Sequence, residues 1–233
     1  MNLDLPTYGE LNEHLPYIWE LLSDEQRAII RKNGRLYNFT KNEHIYRTGA
    51  TPAYLMCLIT GKAKIFKEGL AGKTQITRMV CPREYFGYRA FFANETYQTS
   101  AVAFELTTVY FLPMPVVQNL ILTNTQLGLF FIRELARDLG NSELRTLNLT
   151  QKHIRGRLAE SLLFLRDSYG VEEDNMTINI YLSREDLANL SNMTASNAIR
   201  TLSHFVDERI IIMDGRRIKI VDETRLKKIC QIG

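Results

Sequence analysis

Residues 183–221 narrow the possible folds more than any other stretch, because two helix starts and a tight hairpin follow one another there. Ser183-Arg184-Glu185-Asp186 opens a helix: Ser183 is the expected N-cap, and the early acids complement the positive end of the helix dipole. Leu187, Ala188 and Leu190 give that helix its inner face. It runs only to about Leu190, because Ser191-Asn192-Met193 makes a poor helix interior and reads as a turn. Thr194 is a second N-cap, opening a helix through Ala198, Ile199, Leu202 and Phe205. Asp214-Gly215 then separates two β-rich runs, Ile210–Met213 and Arg216–Val221, a strong hairpin signal.

Two short helices joined by such a turn match the DNA-binding helix-turn-helix, and the hairpin would give it a wing. The preceding stretch fits. Lys152–Tyr169 reads as an amphipathic helix with Ile154, Leu158, Leu162 and Leu165 on one face, ended by Gly170. Met176–Leu182 alternates as a short strand.

The placement of charge is more informative than its total. The formal net charge is +3, which argues little for nucleic acid. From Thr194 to Phe205, however, there is no acid, while Arg200 and His204 are present. Lys152, His153, Arg155 and Arg157 precede this unit, and Arg216, Arg217 and Lys219 lie at the wing. The acids sit elsewhere, as in Glu172-Glu173-Asp174. Basic elements framing an acid-free helix can grip phosphates while that helix enters a groove. Ser196, Asn197 and Arg200 share its polar face. Arg200 can fork onto guanine, Asn197 can pair with adenine or cap locally, and Ser196 suits a base or a phosphate. Lys152, Arg155, Ser183, Thr194, His204, Arg216 and Arg217 are the expected backbone contacts.

Upstream the pattern differs. Ser23-Asp24-Glu25-Gln26 has capping-box spacing, and Asn33-Gly34 supplies a left-handed stop to a short helix. From Arg35 to Leu112, strands are expected at Ile45–Tyr46, Tyr54–Ile59, Ala63–Phe66, Gln75–Val80, Thr99–Phe104 and Thr108–Leu112. Gly49, Gly61, Gly72 and Gly87 fall between them, so the region reads as an antiparallel barrel or roll. After Pro115 the period becomes helical. Leu129, Ile132, Ala136 and Leu139 follow a 3-4-3 spacing, with Phe131 and Leu135 as a neighbouring stripe. Such a band suits either a helix buried within one chain or one that packs on the roll and faces a second copy. The reading is thus α+β in three parts: a β-roll at 1–115, a long helix with hinge at 116–149, and the winged helix-turn-helix at 150–233.

Several classes are disfavoured. No run of about 18 uncharged apolar residues occurs, which argues against a spanning helix. The start MNLDLPTYGE does not read as a secretory signal. Cys57, Cys81 and Cys230 form no metal or iron–sulfur spacing and fit a reducing cytoplasm. No nucleophile–base pair, Walker loop or metal spacing suggests an enzyme.

The order of roll, long helix and winged helix resembles the CRP/FNR family of bacterial transcription regulators from about Leu21 to Ile229. The matching motifs are Gly49-Ala50-x-Pro52…Gly61-Lys62-x-Lys64-Ile65, Tyr85-Phe86-Gly87, and Leu182 through Ile212. The resemblance implies a cyclic-nucleotide-binding-like roll and a homodimer joined through Leu129, Ile132, Ala136 and Leu139. It also implies a two-fold symmetric duplex target and recruitment or blocking of RNA polymerase.

The departures point away from the family's known effectors. Cyclic-AMP binders carry Glu after the roll's Phe-x-Gly and Arg-Ser or Arg-Thr after the next short helix; here those places hold Tyr88 and Gln98-Thr99. Neutral Gln98 cannot grip a phosphate as a charged fork would, which argues against cyclic AMP in the usual pose. Gly87, Tyr88, Arg89, Gln98 and Thr99 remain the expected effector pocket, where Arg89 is either a displaced cation for an anion or a salt-bridged surface residue. No cysteine precedes Cys57, which disfavours the iron–sulfur branch, and His14 and His44 are the only sensor-side candidates for a haem ligand, which disfavours haem. Ala195-Ser196 replaces the common Arg-Glu before the guanine-reading arginine, so the outer bases of the site should differ. The rival expectation is a ligand-binding signalling module that regulates a protein partner instead of DNA.

Overall fold

The structure, a computed structural model, describes Leu15, residues 17–69 and residues 73–232. His14 and Gly72, singled out above, lie outside the described residues. The chain divides into two compact units, one holding residues up to Glu68 with Thr77–Gly140, the other Gly69–Ile76 with residues from Asn141 onward.

In the first unit, α1 (Asp24–Asn33) starts with the expected capping box: Gln26 N donates to Ser23 Oγ at 3.3 Å, and Ser23 N donates to Gln26 Oε1 at 3.2 Å. Its end differs from the expected left-handed stop. Gly34 is extended, at φ −79° and ψ 155°. Glycine is needed there for space, because a Cβ would lie 1.7 Å from Tyr110 Oη, the hydroxyl that donates to Ile30 O at 2.9 Å.

Two four-stranded sheets follow. One runs β1 (Arg35–Phe39), β8 (Thr107–Pro113), β3 (Tyr54–Thr60), β6 (Tyr85–Phe86); the other runs β2 (His44–Tyr46), β7 (Ser100–Ala103), β4 (Ala63–Glu68), β5 (Thr74–Val80). The expected strands are present, and β1 and β6 are additions that the sequence did not betray. Tyr, Asn and Arg in β1 are held by register with a strand some 70 positions away, Arg35 opposite Phe111 and Phe39 opposite Thr107. Gly49, Gly61 and Gly87 take positive φ at the turns (+84°, +83° and +85°).

The middle of β3, Leu55–Ile59, is an unbroken apolar run because it is buried on both faces. Met56 and Leu58 join Ile65, Val80, Phe86 and Val109 between the sheets, while Leu55 and Cys57 face a second cluster with Trp19, Ile30, Tyr110 and Leu112. The helical stretch after Pro115 is two helices, α3 (Met114–Thr123) and α4 (Thr125–Gln151), with the short helix α2 (Arg89–Phe92) earlier in the chain. Asn124 makes the break: its amide donates to Leu21 O at 2.8 Å and its Oδ1 accepts from Leu127 N at 3.2 Å.

In the second unit, α5 (Ile154–Tyr169) packs against α6 (Arg184–Leu190), α7 (Ala195–Asp207) and α8 (Glu223–Ile232). Leu158, Leu162 and Leu165 are buried on α5, and Gly170 ends it at φ +72°. Lys152, expected as the first residue of that helix, lies outside it, one residue before the N-cap position at His153. Met176–Leu182 is not a laddered strand. It is tied by isolated bridges, Val171 with Ile178 and Thr177 with Lys219 of β10 (Arg217–Ile220), whose laddered partner is β9 (Ile211–Asp214). The wing turn is shifted by one residue from the expected Asp-Gly. Asp214 pairs with Arg217, so Gly215 and Arg216 form the loop, with φ +56° at the glycine.

Candidate nucleic-acid interface

The two N-caps form as their sequences imply. Ser183 Oγ accepts from Asp186 N at 3.0 Å and donates to Asp186 Oδ2 at 2.7 Å. Thr194 Oγ1 accepts from Asn197 N at 3.3 Å. Between them Asn192 turns the chain at φ +50°. Ser191 Oγ reaches inward to Ser161 Oγ at 2.8 Å, which anchors the turn to α5.

The helix α7 is divided cleanly. Ala198, Thr201, Leu202 and Phe205 are buried. Ser196, Ile199, Arg200, Ser203 and His204 are exposed, and Asn197 is half-buried. Arg200 Nη2 donates to Asn197 Oδ1 at 2.6 Å, so Asn197 holds the guanidinium from the preceding turn. Ser196 Oγ lies 3.1 Å from Thr194 Oγ1. The three residues expected to read bases therefore stand together on one outward face.

The expected phosphate contacts separate into free and engaged groups. Arg216 is exposed at the wing tip and has no ion pair among the described residues. His204 is also exposed. Arg217 instead pairs with Glu172, and Lys219 Nζ lies 3.3 Å from Asp174 Oδ2. The acids read as sitting elsewhere thus sit against the wing, a pairing across 45 positions that no local pattern announces. Tyr181 Oη donates to Glu172 at 2.6 Å; that bond, and then Arg217, hold the Glu172 carboxyl below its ordinary range. Asp174 is lowered further by the Thr177 and Met176 backbone N–H groups it caps.

Two more bases are committed to the fold. Arg155 Nη1 is 2.6 Å from Glu208 Oε1, with its guanidinium 5.0 Å from the Phe205 ring centre. Lys152 Nζ is 3.2 Å from Glu160 Oε2 and 3.5 Å from Cys230 Sγ. Ser183 and Thr194 spend their hydroxyls on their own caps. A contact missed from sequence is Arg184, whose Nη2 donates to Gly215 O at 2.7 Å and holds the wing turn at the start of α6.

The five expected effector-pocket residues are engaged within the roll in different ways. Gly87 is favoured by its φ of +85°, and an added Cβ would also lie 2.1 Å from the terminal methyl of Met56. Tyr88 is buried, its ring 5.3 Å from Phe131 of α4 and 6.3 Å from Phe92. Burial, with Asp138 adding to it, pushes the Tyr88 hydroxyl well above its usual range. Arg89 is paired with Glu95 at 3.2 Å. Gln98 is exposed, and Thr99 Oγ1 lies 3.3 Å from Tyr46 Oη, whose ring stacks on Tyr97 at 4.0 Å. Cys57 is buried and its thiol is raised by that burial, the reverse of a tuned thiolate. The His44 imidazole is lowered, by burial first and then by Arg47, against a smaller opposing effect of Glu68.

On α4 the two stripes part. Leu127 and Phe131 are in the core with Leu135 against it. Leu129, Ile132 and Leu139 are 40%, 61% and 62% exposed, and Ala136 is exposed with them.

Known proteins share this arrangement. The cyclic nucleotide-binding domain family matches residues 36–124, and the Crp-like helix-turn-helix domain family matches residues 156–229. The transcriptional activator protein anr of Pseudomonas aeruginosa is 26% identical over 198 residues, 84% of this chain and 80% of that protein. The CRP-like cAMP-activated global transcriptional regulator of Mycobacterium tuberculosis is 22% identical over 202 residues, 86% of this chain and 90% of that protein. The solved structure of FixK2 from Bradyrhizobium japonicum has the same fold, with a TM-score of 0.77 at 22% identity, covering 84% of this chain and 96% of that one. With the roll, the long helix and the capped helix pair all accounted for, the chain belongs to the CRP/FNR family of transcription regulators, with a DNA-binding helix-turn-helix in its C-terminal part.

Proposed function

We propose that this protein is a homodimeric, sequence-specific regulator of transcription acting in the cytoplasm, whose two α7 helices enter successive major grooves about 34 Å apart. The observation that carries this reading is the outward face of α7, free of acids from Thr194 to Phe205, where exposed Ser196 and Arg200 flank half-buried Asn197 and Arg200 is steered by Asn197. Arg216 and His204 grip phosphates beside it. Arg217 joins them once released from Glu172, and the bound dimer recruits or blocks RNA polymerase. The unpartnered seam of Leu129, Ile132, Ala136 and Leu139 supports pairing through α4, because an apolar stripe at this spacing is buried by a second helix in the family's manner.

The roll does not take a cyclic nucleotide in the usual pose. Tyr88 fills the position of the ribose-binding carboxylate with a buried aromatic ring, and Gln98 offers no charge to a phosphate. Any effector acts by favouring one of two dimer geometries.

Selection of bound duplexes from random DNA with the full-length protein tests the reading. A two-fold symmetric, salt-sensitive consensus is expected. The absence of any sequence-selective binding would overturn it and favour a module acting on a protein partner.

A further inference from the structure

We infer that Ile199 reads the 5-methyl group of a thymine in each half-site, a specificity contact that rests on the DNA-binding reading above and extends it. On α7, Leu202 and Phe205 are fully buried and Val206 is 36% exposed, whereas Ile199 is 50% exposed. It belongs to the opposite face. Ser196 lies three residues before Ile199 and Ser203 four residues after it, so the isoleucine lies between two hydroxyls, with Arg200, expected to fork onto guanine, next in the chain. It is also in the first half of α7, the part of a recognition helix that meets base edges.

The chemistry restricts what this side chain can recognise. Isoleucine has neither donor nor acceptor. The edges of guanine, adenine and cytosine present polar atoms in the major groove, and covering them with a branched alkyl group removes their water without replacing it. Thymine alone presents a methyl group there, so the apolar contact is gained at thymine and a desolvation cost is incurred elsewhere. Ile199 thus supplies discrimination at one base pair that Ser196, Asn197 and Arg200 leave unread. Its β-branch leaves few side-chain rotamers on a helix, so little freedom is lost when the contact forms.

The experiment uses the full-length protein and the duplex selected above, with each thymine replaced in turn by deoxyuridine, which removes only the methyl group. Replacement at one thymine per half-site should weaken binding about fourfold, the value of a single buried methyl group. The Ile199→Ala variant should bind the thymine duplex more weakly, and the same deoxyuridine replacement should cost it almost nothing. Thermal unfolding should be close to wild type, because the side chain is exposed. A selected half-site without thymine, wild-type binding indifferent to every deoxyuridine, or a variant that keeps the wild-type methyl sensitivity would each overturn the inference. Failure to select any site at all would instead overturn the DNA-binding reading on which it rests.

Discussion

Arg200 and Arg216 are both exposed arginines in the C-terminal unit, yet their removal should have different signatures. Arg200 is aimed by Asn197, and a base contact is expected of it. Arg200→Ala should cost about 1–3 kcal/mol on the selected site and relax one base position per half-site. Arg216 is an exposed cation at the wing tip with no ion pair among the described residues, so Arg216→Ala should weaken all duplexes alike and reduce the salt slope by about 1. Titrations of specific and scrambled duplexes across a salt series separate the two, and equal losses on every sequence for Arg200→Ala would count against its role. Glu172 makes the opposite case. It neutralises Arg217 in the free protein. Glu172→Gln should therefore tighten binding to every duplex and steepen the salt dependence; unchanged binding would show that Arg217 never reaches a phosphate.

At the level of elements, the caps were legible and the cross-links were not. Ser23, Ser183 and Thr194 act within three residues of themselves, so their geometry is written locally. The link that joins α5, the end of α7 and α8 is not local. Glu208 accepts from Arg155 and from Arg225, the latter at 2.8 Å, across 53 and 17 positions. The Arg155 hydrogen bond is the main cause of the lowering of the Glu208 carboxyl from its ordinary 4.5. A carboxylate lowered in the folded state contributes stability that is complete above its unfolded value and lost as pH falls through the folded one. The melting-temperature gap between wild type and Glu208→Gln should then be constant above pH 4.5 and narrow on acidification below it. A gap of the same size at pH 3 and pH 7 would refute the assignment. Strand β1 was hidden for a related reason: Arg35 and Asn38 are poor strand formers, and only pairing with β8 makes them one.

At the scale of the whole molecule, the α4 seam carries the prediction. Ile132→Asp puts a charge into the exposed apolar stripe while leaving Leu127 and Phe131 in the core. The variant should sediment as a monomer with an intact fold and lose most of its affinity for the two-fold site, retaining only half-site binding. A variant that remains dimeric would place the partner surface elsewhere. The helical period announced both stripes of α4, but not which one the roll would take. That choice was made by the aromatic side chains of Tyr85 and Tyr88, which close on Phe130 and Phe131.

By itself the sequence determined the order of parts, the side-chain caps at Ser23, Ser183 and Thr194, the turns at Gly49, Gly61 and Gly87 and the acid-free stretch from Thr194 to Phe205, because each depends on residues within a few positions of one another. Only the tertiary structure decided which cations remain free and which candidate pocket residues meet. Ion pairs such as Arg217 with Glu172, and burial such as that of Tyr88, arise between segments that chain distance keeps apart and packing brings within a few ångströms.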